Sequence, residues 1–159
     1  MPFSPDPGHL AVPAAVHGGP DYRRLLSRGM GPADVLDFSA SVNPFPPAPE
    51  VSAAAAAADF TRYPDSSSTL LRKELAKRLG RKENEILVTA GASEALCLIG
   101  LAFIRPGSRC LVLGPAYGEY ARTAALYGGV VHEFRGREED DFRPDLRLLE
   151  GEIERVRPE

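Results

Sequence analysis

Between Ile86 and Phe134 the chain alternates short, β-rich apolar runs with helix-forming stretches, and this alternation limits its fold more than any other feature. Ile86-Leu87-Val88 predicts a strand, and Ser93 to Ile104 a strongly apolar helix. Arg105-Pro106-Gly107 breaks that helix, and Cys110-Leu111-Val112-Leu113 predicts a second strand. Tyr117 to Tyr127 reads as a helix closed by Gly128-Gly129, and Val130 to Phe134 as a third strand. Strands separated by helices at this spacing predict an α/β fold, with a parallel sheet covered on both faces. Past a charged loop at 135–141, Leu146, Leu149, Ile153 and Val156 mark one face of a final amphipathic helix. No strand follows that helix, so the chain is expected to be a fragment of a longer protein.

Upstream of the alternation the signals are local. Pro2, Pro5, Pro7, Pro13 and Pro20 predict an irregular arm over the first 20 residues or so. Tyr22 to Arg28 predicts a short helix stopped near Gly29 and Gly31, and Val35 to Phe38 an extended piece. Asn43-Pro44-Phe45-Pro46-Pro47 follows as a turn or polyproline segment. Val51 to Asp59 is alanine-rich and helical by propensity. Ser66-Ser67-Ser68 offers N-caps for a helix that carries Leu71, Leu75 and Leu79 on one face and ends at Gly80.

A formal net charge of −3, with 16 arginines and three lysines scattered along the chain, argues against non-specific nucleic-acid binding. The only cysteines, Cys97 and Cys110, lie inside apolar runs and are expected to be buried thiols in a reducing compartment. Signal-peptide character and long apolar stretches are both absent, so the expected setting is cytoplasmic, with no membrane partner. No metal-ligand spacing occurs.

The junction Thr89-Ala90-Gly91-Ala92-Ser93-Glu94 carries chemistry. A strand, a tight turn and a helix N-terminus in succession aim unpaired backbone N–H groups and the positive end of the helix dipole at one point. Small side chains at Gly91, Ala92 and Ser93 let a phosphate approach, and Ser93 adds a hydroxyl donor. The same residues also serve an ordinary β–α connection. Glu94 and Glu119 fall in first helical turns, where a carboxylate is favoured by the dipole, and Asp140-Asp141 is a solvated run. His9 and His132 read as solvated side chains.

Five motifs in order carry a resemblance. They are His17-Gly18-Gly19, Leu36-Asp37-Phe38-Ser39-Ala40-Ser41-Val42-Asn43-Pro44, Tyr63-Pro64-Asp65, Gly91-Ala92-Ser93-Glu94 and Pro115-Ala116-Tyr117-Gly118-Glu119-Tyr120. Together they resemble the fold-type I pyridoxal-phosphate enzymes of aminotransferase class I/II. The branch most similar holds histidinol-phosphate aminotransferases and threonine-phosphate decarboxylases. The resemblance implies the N-terminal part of the aspartate aminotransferase-like fold, three-layer α/β/α with an irregular N-terminal arm. Residues 1–50 would be the arm and an extended substrate-side segment. Residues 51–159 would be the first part of the large cofactor-binding domain.

For individual residues it implies that Ala92 and Ser93 hold the pyridoxal 5'-phosphate through its phosphate, and that Tyr117 stacks on its ring. Tyr63 would reach across a homodimer interface to the phosphate of the other subunit. His17 and Gly18 would contact the phosphate of a small phosphorylated amino-acid substrate, as in the decarboxylases. Ser41 stands where those enzymes carry an asparagine that contributes to substrate binding; serine keeps a donor and an acceptor on a shorter side chain.

The family's chemistry also requires a lysine that holds the cofactor covalently, an Asp for the pyridine nitrogen and an Arg for substrate. Lys73, Lys77 and Lys82 are the only lysines, and all precede the phosphate junction. No catalytic residue is therefore expected within 1–159. The implied activity is decarboxylation of O-phosphothreonine to aminopropanol phosphate, a step of cobalamin biosynthesis, performed by the full-length protein. Two alternatives are an aminotransferase acting on histidinol phosphate or a similar amino compound, and a non-catalytic binding module that kept only the phosphate junction.

Overall fold

The computed structural model describes Gly8, residues 11–15 and residues 17–159. The described residues divide into two compact units: one contains His17 and Thr89–Glu159, the other Gly18–Val88.

In the first unit, helix α4 (Gly91–Phe103) leads to strand β1 (Arg109–Gly114), helix α5 (Glu119–Leu126), strand β2 (Val130–Arg135) and helix α6 (Leu146–Val156). The strands pair in parallel, Arg109 opposite Val130 through Gly114 opposite Arg135. Small groups let the helices close on each other and on the sheet. A Cβ at Gly100 of α4 would overlap the Tyr127 ring and come within 2.7 Å of Thr123 Cγ2. Ala124 of α5 and Val156 of α6 are buried. Gly107 N–H donates to Gly128 O (2.8 Å), joining the turns before the two strands. At the other edge of β1, Glu159 N–H donates to Arg109 O (3.0 Å) and the Arg109 guanidinium meets the Glu159 carboxylate at 2.7 Å. Arg109 Nε also donates to the carbonyls of Val156 and Arg157, fixing the end of α6 to the start of β1.

The second unit holds α1 (Tyr22–Leu26), α2 (Pro49–Ala56) and α3 (Thr69–Leu79), with 3₁₀ turns at Pro32–Asp34 and Glu83–Glu85. Asp21 caps α1, accepting from Arg24 N–H at 3.1 Å, and Gly29 (φ +68°) ends the turn beyond it. Pro49 opens α2 at a position where a missing N–H costs nothing. Gly80 (φ +63°) closes α3. Arg72 of α3 reaches forward and donates to Glu83 O through Nε (3.0 Å) and Nη2 (2.6 Å).

Several expectations are corrected. Only two of the three predicted strands form a ladder. Ile86 is extended (φ −116°, ψ 123°), but residues 86–88 pair with no described strand. An apolar run sets the backbone angles, whereas a ladder needs a neighbour. Ser68 takes the N-cap position of α3, but the side chain that binds the first N–H groups is that of Asp65. Its carboxylate accepts from Ser67 N–H (2.9 Å) and Thr69 N–H (2.7 Å), while Ser68 sits in the left-handed region (φ +49°) and its side chain makes no cap hydrogen bond. Those N–H donors, Thr69 first, hold the Asp65 carboxyl below the usual carboxylate range.

Of the α3 face, Leu71 and Leu79 stay exposed and Ala76 is buried. His132 lies half-buried in β2, not free in solvent, and His9 falls outside the described residues. Within the arm, 12–15 and 17–21 are irregular as expected, but Gly8 and Ala11 are helical. Cys97 and Cys110 are free, half-buried thiols, and burial pushes the Cys110 thiol up, helped by the negative charge of Glu159. No helix among the described residues is long and apolar enough to cross a membrane.

Candidate functional site

The unit that holds residues 89–159 presents a candidate anion cradle where α4 begins. Gly91 takes φ +83°, a backbone that favours glycine, and the space a Cβ would enter there is open. The Ala90 N–H is bound by the Glu94 carboxylate, so Glu94 serves the helix start, as its first-turn place predicts. No side chain caps the turn that follows. The N–H groups of Gly91, Ala92 and Ser93 have no carbonyl one turn back to receive them, and Ala92 and Ser93 are exposed. An uncapped N-terminus with small side chains and an open glycine fits a phosphate. Thr89 Oγ1 donates to Gly91 O (3.0 Å) and braces the turn.

Tyr117 stands three residues beyond the C-terminal end of β1, two residues before α5 rather than at its start. Its hydroxyl lies 3.2 Å from Ser93 Oγ, which joins the cradle to an aromatic face at the sheet edge where α/β folds bind ligands. Tyr120 meets the Tyr117 ring edge-on at 5.9 Å. On another side lies the His17 imidazole, with ring centres 5.4 Å apart and planes inclined at 47°.

His17 is held by a residue that the sequence placed in a structural role only. Its Nε2 is 2.8 Å from Glu119 Oε1, and the other carboxylate oxygen of Glu119 accepts from Arg122 Nη1 at 3.1 Å. Glu119 is 8% exposed, yet burial, which raises its carboxyl, is outweighed by the hydrogen bonds from Arg122 and His17. The net effect lies below the usual carboxylate range, so the group is an anion near neutrality. The Glu-x-x-Arg spacing of Glu119 and Arg122 is legible in the sequence. The partnership with His17, 102 positions away, has no local signal.

The remaining predicted site residues belong to the unit of Gly18–Val88 and are described within it. A Cβ at Gly18 would overlap the Ser39 carbonyl oxygen, so packing alone demands glycine there. Gly19 N–H donates to Ser39 Oγ (2.8 Å), whose hydroxyl is bound by Asp37 (2.6 Å). Ser41 is exposed in the extended stretch beyond, and Asn43 Oδ1 accepts from Phe45 N–H (3.0 Å) to shape the proline turn. Tyr63 is fully exposed. Among the described residues no cluster of His, Cys, Asp and Glu is suited to a metal.

The family model described as aminotransferase class I and II matches residues 33–159. The chain is 31% identical over 130 residues to a histidinol-phosphate aminotransferase of Moorella thermoacetica, covering 80% of this chain and 33% of that protein. It is 30% identical over 135 residues to the adenosylcobalamin biosynthesis bifunctional protein CobDQ of Leptospira interrogans, covering 84% of this chain and 15% of that one. Among solved structures it is similar to an alanine aminotransferase from Pyrococcus furiosus, with a TM-score of 0.67 and 27% identity. That likeness covers 94% of this chain and 41% of the other. The chain thus spans about a third of the length of a relative such as the Moorella enzyme.

Proposed function

Because the chain belongs to the aminotransferase class I and II family, whose cofactor is pyridoxal phosphate, we propose that it forms the phosphate-holding and ring-stacking portion of a decarboxylase acting on O-phosphothreonine. The observation that carries this reading is the contact of Ser93 and Tyr117, which sets an anion cradle and an aromatic face side by side. Ala92 and Ser93 hold the cofactor phosphate through backbone N–H groups, and the Ser93 hydroxyl, steadied by Tyr117, adds a donor. The Tyr117 ring stacks on the pyridine ring and fixes its plane. Tyr63 reaches the cofactor phosphate of the other subunit in a homodimer, and residues 51–159 form the first part of the large domain after an arm of 1–50.

When bound, pyridoxal phosphate supplies the electron sink into which the bond between Cα and the carboxylate breaks, releasing CO₂. His17 and Gly18 meet the substrate phosphate, through an imidazole and a backbone N–H, and Ser41 adds a polar contact. The His17-Gly18-Gly19 motif and the likeness to a cobalamin-biosynthesis protein support decarboxylation. The likeness to histidinol-phosphate aminotransferases favours a second reading, amino transfer on a phosphorylated amino compound. Both readings share the cradle and differ in which bond at Cα breaks.

The protein from the complete reading frame, supplied with pyridoxal phosphate and O-phosphothreonine, is expected to release CO₂ without a keto acid. Keto-acid-dependent amino transfer with no CO₂ would replace the first reading by the second.

A further inference from the structure

We infer that Glu119 is a positioning residue for substrate recognition, acting through His17; the inference rests on the proposed reading of His17 as a phosphate contact. A buried carboxylate needs hydrogen-bond partners for its oxygens. Glu119 takes one such partner, Arg122, and spends its other oxygen on an imidazole in the N-terminal arm, at 2.8 Å. That bond commits Nε2 of His17 and leaves Nδ1 as the ring nitrogen that can meet a ligand. The imidazole itself is 45% exposed while the Glu119 side chain is only 10% exposed, so the acceptor is hidden and the donor is presented.

The helix start, Arg122 and the Tyr117 ring fix the arrangement. Glu119 is the first residue of α5, where the helix dipole favours its charge. Arg122 fixes the carboxylate plane from the next turn. The Tyr117 ring lies 5.4 Å from the imidazole, so His17 stands beside the aromatic face and not behind it. Among the described residues, the groups set against His17 are the Glu119 anion and the Tyr117 ring, with Arg122 one step away. A phosphate dianion arriving at Nδ1 would be received by an imidazole whose opposite nitrogen is bound to a carboxylate. Donation toward the phosphate from Nδ1 then requires a proton on both ring nitrogens, one directed at Glu119 and the other at the ligand. A carboxylate facing the ligand directly would repel it; Glu119 is withheld from the ligand by its two donors.

The test is a mutant cycle in the complete protein, with wild type, Glu119→Gln, His17→Ala and the double variant. O-phosphothreonine binding is read by calorimetry and pyridoxal-phosphate affinity separately. Glu119→Gln is expected to weaken O-phosphothreonine binding about tenfold, the scale of one charge-assisted hydrogen bond, with the loss falling on KM rather than kcat. In the His17→Ala background the same substitution should add nothing, and pyridoxal-phosphate affinity should stay within about twofold. Glu119→Asp, which keeps the charge on a shorter arm, should be intermediate and guards against a folding defect of the Gln variant. With O-phosphothreonine bound, ¹⁵N-resolved imidazole spectra should show protons on both His17 nitrogens in wild type and lose that signature in Glu119→Gln.

Additive losses in the double variant would overturn the inference, as would an unchanged His17 spectrum in Glu119→Gln. If neither single variant alters O-phosphothreonine binding while CO₂ release persists, the positioning role fails and the decarboxylase reading stands. If wild type neither binds O-phosphothreonine nor releases CO₂ from it, the functional reading fails and takes this inference with it.

Discussion

The two units of this chain solve the problem of backbone polarity in different ways. In the unit of residues 89–159, N–H and C=O groups are spent on a parallel ladder and on links between turns, and side chains pack where glycine or alanine leaves room. In 18–88 no ladder forms among the described residues. There short polar side chains bind the backbone two to four residues on: Asp37 to Ser39, Asn43 to Phe45, Asp59 to Thr61, Asp65 to Ser67 and Thr69. Large apolar side chains stay exposed in both units, Phe38 at 95% and Phe103 at 77%. Order in the first unit depends on partners far along the chain, and order in the second on near neighbours. Substitutions should therefore act cooperatively in one and locally in the other.

The largest effect is expected at Gly100. Gly100→Leu drives a side chain into Tyr127 and Thr123, and urea unfolding of the chain should report a loss of about 3 kcal/mol or more. A loss under about 1 kcal/mol would mean that α4 and α5 are not closely packed and would erase the contrast between the units.

Next comes the cofactor. Ser93→Asp places a negative charge in the cradle and should lower pyridoxal-phosphate affinity of the complete protein about a hundredfold, whereas Tyr63→Phe, which removes one hydroxyl, should lower it about tenfold. Fluorescence titration ranks the two. Equal losses would show that the cradle does not dominate phosphate binding.

Acid should loosen both units, each through one carboxylate. The Glu119 carboxyl sits below its ordinary value in the folded chain, so its contribution to stability is present above that ordinary value and disappears as pH falls through the lower, folded one. Asp65 follows the same sign at the start of α3. Release of Asp65 should shift the Ser67 and Thr69 amide resonances alone. Release of Glu119 should move His17, 102 residues away. A Glu119→Gln variant whose acid stability profile keeps the wild-type slope would contradict this.

The smallest change is expected at Phe38. Phe38→Ser should leave stability within about 0.5 kcal/mol, because a ring so exposed contributes little packing. A larger loss, measured by the same urea titration, would place Phe38 in a buried contact and narrow the difference between the units.

The legibility of the sequence follows the same division. β1, β2 and the helices around them were readable because period and breakers are local: Cys110 to Leu113 is continuous and apolar, and Gly128-Gly129 ends the helix before Val130. The cradle was readable for the same reason, since Gly91, Ala92 and Ser93 are consecutive. Ile86 to Val88 misled because its composition fixes an extended backbone without supplying a neighbour. The α3 cap was half legible: Ser68 takes the N-cap position, but the carboxylate of Asp65, the stronger acceptor, binds the N–H groups. Glu119 was legible as a first-turn acid but not as the holder of His17. Nothing in either neighbourhood marks the other.

Gly18 has a consequence for how variation in this chain should be read. Its Cβ-free backbone lies against the Ser39 carbonyl, so any side chain at position 18 meets main chain that cannot step aside. Position 17 has no such barrier, its imidazole being partly open to solvent. In a library of variants, changes at 18 would be purged for failing to fold and changes at 17 for failing to recognise. Two adjacent letters that read as one motif would then record two unrelated selection pressures.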